Sequence, residues 1–151
     1  MAGPCAIICR VNANPHDRSE VRPSFAAECA AVFVGGAIGT LLRYAIVELF
    51  NGYSGEWPWP TFIANIAGCA VLGFAYHRLT IDGRHDKHRA LIGTGFCGGL
   101  TTFSTFQLEL YRLVDANHYA VAAGYLLASV ALGLLAVSAA RRAAQRGEEI
   151  A

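Results

Sequence analysis

Residues 98–109 read GGLTTFSTFQLE, and they place two glycines, four hydroxyl residues and two phenylalanines inside an apolar stretch, 90–114, that is long enough to cross a bilayer. Together with Gly95, the glycines and the run Thr101, Thr102, Ser104, Thr105 lower helix propensity over one short window, which predicts a break in the helix. Backbone groups released at membrane depth must be satisfied by protein, by a cavity or by an ion. Freed carbonyls are hard-oxygen donors, and two related copies of such a break facing one another would supply enough ligands for sodium without any carboxylate.

Outward from this stretch the chain divides readily. At 54% hydrophobic and 15% charged over 151 residues it is too apolar for an ordinary soluble domain, so it is read as one membrane domain. Residues 25–50 form a first span of roughly 39 Å of helix. The connector 51–60 holds turn formers and both tryptophans, a composition suited to the headgroup level. A second span, 61–79, is followed by the charged loop TIDGRHDKHR; the third is 90–114 and the fourth 119–140, ended by a charged C-terminal tail, 141–151. Residues 1–24 have no signal-peptide pattern and read as a polar, disordered N-terminal tail. The fold class is therefore an all-α membrane protein of four transmembrane helices, the third broken near its middle.

Charge gives orientation. Ten of the twelve Lys and Arg residues fall on the side that holds both termini and the second loop; only Arg112 lies near the other side, and Arg43 is intramembrane. That bias predicts a multi-pass protein of the cell membrane with both termini in the cytoplasm. The basic residues neither cluster on one face nor interleave with aromatics, which argues against nucleic acid as a partner. The five cysteines are an odd number without a CxxC pair, and Cys29, Cys69 and Cys97 read as small hydrophobes within apolar segments. Cys5 and Cys9, with His16 nearby, fall short of a zinc site.

Several polar groups lie where lipid would exclude them. Arg43 either lines an aqueous vestibule or snorkels to an interface. Gly35 and Gly39 form GxxxG, a spacing that lets helices approach closely. Thr61, Asn65 and Gly68 share one stripe of the second span, and Asn65 serves either as interhelical glue or as a ligand. Tyr125, Ser129 and Gly133 repeat that pattern in the fourth span. Phe103 and Phe106, three apart, share a helix face: they either pack in a core or turn ring edges toward an anion. Glu109 stands near the end of the third span, able to join a polar track or reach the interface.

Taken together, GGAIGTLLRY (35–44), PTFIANIAGCAVLGF (60–74) and GFCGGLTTFSTFQLE (95–109) resemble the signature of the Fluc (CrcB) fluoride channels. The resemblance implies an antiparallel, inverted dimer in the lipid bilayer that passes fluoride. It also implies a structural sodium ion at the dimer centre, held by the main-chain carbonyls of Gly98 and Thr101. By the same matching the ring edges facing fluoride belong to Phe103 and Phe106, and the pore amide to Asn65. Ser104, Thr105, Glu109, Thr61, Tyr125 and Ser129 fill polar positions of the pathway, and Arg43 the vestibule. Dual-topology homodimers should carry little Lys and Arg bias, so the bias here points to a heterodimer with an inverted paralogue as the alternative to a homodimer. A proton-coupled small multidrug antiporter is the rival reading, but it needs an embedded carboxylate, and Glu28 and Glu48 flank the first span. An intramembrane enzyme would need a base beside Ser104, and the histidines sit at or beyond helix ends.

Overall fold

The computed structural model describes residues 25–50, 56–81 and 86–149, and among these every regular element is helical, with no strand. The tail 1–24, with Cys5, Cys9 and His16, lies outside the described residues. Helix α1 is Phe25–Leu49 and α2 is Trp59–Ile81. Helix α3 covers residues 86–100: one α turn, a π-helical stretch Arg89–Cys97, and a last α turn Gly98–Leu100. Helix α4 is Phe103–Asp115 and α5 is Tyr119–Glu149. Among the described residues three helices are long and apolar enough to cross a membrane, Phe25–Leu49, Trp59–Leu79 and Tyr119–Gly147. The fourth apolar stretch is divided between α3 and α4, which is the break expected within 90–114.

α1 packs along α3, and α2 along α5. The first contact is made backbone to backbone. A Cβ on Gly39 would overlap the Phe96 carbonyl oxygen and lie 2.8 Å from the Leu100 amide nitrogen, and one on Gly99 would overlap the Gly36 carbonyl. The GxxxG spacing of α1 thus meets a matching pair, Gly95 and Gly99, on α3. Without a hydrophobic driving force between helices in lipid, close van der Waals contact of this kind is what holds them. The opposite faces of α1 and α5 leave Phe33, Ile38, Leu41, Leu127 and Leu134 exposed, the apolar exterior that acyl chains cover.

One end of the bundle is fixed by the connectors. α4 ends in a tight turn in which Asn117 takes a left-handed φ of 62° and the His118 N–H bonds the Leu113 carbonyl at 2.8 Å. His118 Nδ1 lies 3.4 Å from the Glu56 carboxylate of the α1–α2 connector. Beside it Trp57 meets Phe62 and Tyr125 edge to face, with centroids 5.6 Å apart in both pairs. At the other end α5 departs from the expected boundary. The segment read as a charged tail from residue 141 continues the helix to Glu149, because Ala, Arg, Gln and Glu are good helix formers and Ala144 is fully buried.

Candidate functional site

The helix stops at Thr101 and Thr102, both in extended backbone (φ −83°, ψ 157°; φ −148°, ψ 122°), and restarts at Phe103. Asn65 of α2 splints this gap. Its Oδ1 accepts the Thr102 N–H at 2.8 Å, and its Nδ2 donates to the Thr102 carbonyl at 3.2 Å, so one carboxamide satisfies both backbone groups of one residue. Thr102 then caps α4: its Oγ1 accepts the Thr105 N–H at 3.3 Å and donates to Thr105 Oγ1 at 3.0 Å, with Ser104 Oγ 3.3 Å away. Thr101 turns back, its N–H and hydroxyl both bonding the Cys97 carbonyl at 2.9 Å.

These bonds have a consequence for two carbonyls. In an unbroken helix the Gly98 oxygen would accept the N–H of Thr102, and the Thr101 oxygen that of Thr105. Both N–H groups are diverted, one to Asn65 and the other to the Thr102 hydroxyl. Gly98 is exposed and has no atom within 4 Å of where a Cβ would stand, so this part of the break lies at an open face. Among the described residues no cluster of three or more His, Cys, Asp or Glu side chains is placed to hold a metal.

A groove of about 430 Å³ runs along this face, lined by Asn65, Gly98, Thr101, Thr102, Phe103 and Phe106 among others. The two phenylalanines do not play equal parts. Phe103, the first residue of α4, is 73% exposed on the groove wall, whereas Phe106 is 8% exposed and packs on Tyr125 with centroids 5.0 Å apart. Their rings lie 6.2 Å from each other, inclined by 34°.

Behind Phe106 lies a second polar cluster. The Thr61 hydroxyl donates to Glu109 Oε1 at 2.7 Å and the Tyr125 hydroxyl to Oε2 at 2.8 Å, joining α2, α4 and α5 through one carboxyl group. Thr61 and Tyr125 are buried, so neither hydroxyl has water to turn to. Glu109→Ala would leave both without an acceptor and is expected to destabilise the protein by about 2–4 kcal/mol, with Glu109→Gln costing less because one acceptor remains. Thermal unfolding of the purified protein in detergent measures the difference.

Two expected residues stand apart from both clusters. Ser129 sits one turn beyond Tyr125 on α5, with its Oγ buried and unbonded. Arg43 lies one turn beyond Gly39 on α1, half-buried, and is not among the residues lining the groove. The residue given no role of its own by sequence reasoning is Thr102, which is the centre of the break. Its signal was the spacing of two hydroxyl residues three apart, Thr102 and Thr105, at a helix start.

A helix interrupted within an apolar stretch, splinted by a carboxamide and open along a groove that is mostly apolar with a few polar groups at the break, defines an integral membrane protein built around non-helical backbone. Residues 30–141 match the family described as CrcB-like protein, Camphor Resistance (CrcB). The chain belongs to that family. It is 48% identical over 120 residues to a protein of Mycolicibacterium paratuberculosis named fluoride-specific ion channel FluC 1, covering 79% of this chain and 91% of the relative. A protein of the same name from Mycobacterium bovis is 46% identical over 111 residues, 73% of this chain and 84% of the relative. Fluoride-specific ion channel FluC 2 of Streptomyces avermitilis is 43% identical over 102 residues, 67% of this chain and 65% of the relative.

Proposed function

We propose that this chain is a subunit of a fluoride-selective channel, not an enzyme, that lets the anion leave the cytoplasm passively and so lowers its toxicity. The observation that carries the reading is the groove itself: a splinted helix break beside Asn65, with the rings of Phe103 and Phe106 along its wall, in a chain whose relatives are named fluoride-specific ion channels. Fluoride is small and tightly hydrated, so a conducting path must replace its water with closely spaced, moderate donors rather than one deep trap. Hydroxyls, an amide and the positive edges of phenyl rings are such donors. Asn65 uses one amide proton on Thr102, and its second remains for the anion. A negative interior drives the anion out with about 2.3 kcal/mol per 100 mV, so no fuel is needed.

The face that carries the break is open in one chain, and an inverted second copy would close it. Two such copies would bring together four main-chain oxygens, Gly98 and Thr101 from each, a donor set that suits a structural sodium. When bound, that ion would tie the two breaks together and add fixed positive charge at the dimer centre. The Lys and Arg bias favours an inverted paralogue as the second subunit, and the numbers 1 and 2 in the relatives' names are what an organism with more than one copy calls for. Tagging both termini tests this point: one sidedness supports the heterodimer, and comparable amounts on both sides of the membrane support a dual-topology homodimer.

Proteoliposome efflux tests the function. Fluoride release with chloride retained is expected from the chain alone or with its co-expressed paralogue, and no release from either refutes the proposal. Ser129→Ala separates pathway from fold in the same assay. Removing a buried hydroxyl without a partner should change stability by less than about 0.5 kcal/mol, while fluoride release slows roughly tenfold.

A further inference from the structure

A second cavity, of about 460 Å³, opens between α2 and the π-helical start of α3, at the end of the bundle opposite the tryptophans. Its lining is mostly apolar, with Leu72, Ala75, Leu79 and Ala90 contributing, and Arg89 and Tyr76 also border it. The Arg89 guanidinium lies 5.1 Å from the Tyr76 ring centroid, and its Nη2 donates to the Tyr76 hydroxyl at 3.3 Å. This cation is pre-oriented, because stacking on an aromatic face and a hydrogen bond together limit its rotamers. A guanidinium carries five N–H donors, and one hydrogen bond to Tyr76 leaves most of them for a ligand. Lys87 and His88 are exposed directly before it in the chain.

We propose that this slot binds one anionic phospholipid, with an acyl chain along Leu72, Ala75, Leu79 and Ala90 and the headgroup phosphate on Arg89. Two properties select this occupant. The apolar lining has no use for a free inorganic anion, and the adjacent cations favour a net negative headgroup over a zwitterionic one. The position fits as well, since Arg89 stands where the charged connector gives way to apolar helix, the kind of boundary at which headgroups are met. The π-helical winding of α3 is found mostly as single-turn bulges elsewhere, frequently at functional sites, and here it runs over nine residues beside the slot. The site is independent of which ion the protein conducts.

The test is native mass spectrometry of the purified full chain in detergent, titrated with phosphatidylglycerol or with phosphatidylcholine. Phosphatidylglycerol is expected to be retained more tightly, and Arg89→Gln to weaken it about five- to tenfold. Ala75→Phe, which fills the apolar part and leaves Arg89 in place, should weaken it as well, whereas Arg142→Gln, a surface cation on α5 outside the slot, should not. Equal retention of the two lipids overturns the proposal. So does an Arg89→Gln effect matched by Arg142→Gln, which would mean attraction to the basic end in general, or unchanged retention by Ala75→Phe, which would leave the headgroup without a seated chain. A purified protein that holds neither lipid also overturns it.

Discussion

Asn65→Ala is expected to lower stability by about 2–4 kcal/mol, because it strips the partner from the part-buried Thr102 N–H and removes one of the bonds to the Thr102 carbonyl, which as N-cap also accepts the first helical bond of α4. The loss is amplified by position. Water does not reach membrane depth easily, and the Thr102 N–H is held by Asn65 in place of a helical bond. Asn65→Asp distinguishes shape from chemistry. It keeps an oxygen for the Thr102 N–H but presents a second oxygen, without a proton to donate, to the Thr102 carbonyl, so it should be destabilised comparably. Unfolding of the purified variants in detergent measures both, and fluoride efflux should fall with them by more than about 100-fold, since a misplaced break spoils every donor along the groove. Wild-type stability in Asn65→Ala would mean that the carboxamide does not hold the break.

Gly39→Ala is the second large effect, and Gly98→Ala is its internal control. Each adds one methyl group to a glycine, the first buried between α1 and α3 and the second exposed on the groove. At Gly39 the methyl overlaps the Phe96 carbonyl of α3, and backbone cannot move aside as a flexible side chain can. Helices α1 and α3 must separate, with a cost of about 3 kcal/mol or more and a marked loss of folded protein. Gly99→Ala meets the Gly36 carbonyl from the other side and should behave alike. At Gly98 the methyl meets nothing within 4 Å in the protomer, and helical φ suits alanine, so protomer stability should change by less than about 1 kcal/mol. Thermal melts of the three variants, run in parallel, give the contrast.

The sequence carries the local part of this architecture in plain form. Hydropathy marks the uninterrupted helices, and the glycines and threonines of 95–105 announce a break because low helix propensity is a property of those residues alone. Pairings between distant segments are a different matter. That Asn65 addresses the backbone of Thr102, 37 residues away, depends on how α2 is rotated about its axis, and a stripe of polar residues reports a face without naming what it meets. The same holds for Glu109, whose two oxygens serve Thr61 and Tyr125 together. Spacing puts Phe103 and Phe106 on one face, and both line the groove, but it does not report their burial: Phe103 opens α4 at the edge of the gap and stands exposed, while Phe106, one turn in, is covered by Tyr125. The end of α5 was hidden for the reverse reason, since charge marks where lipid stops and not where a helix does.

The central claim is that this groove passes fluoride passively and selectively. The most direct measurement is the reversal potential of the current through the purified protein in a planar bilayer, under a tenfold fluoride gradient with equal chloride and equal pH on both sides. The account predicts a reversal near the fluoride equilibrium potential, about 60 mV from zero, unmoved when a chloride or a proton gradient is added. A reversal that follows chloride or protons instead would contradict it.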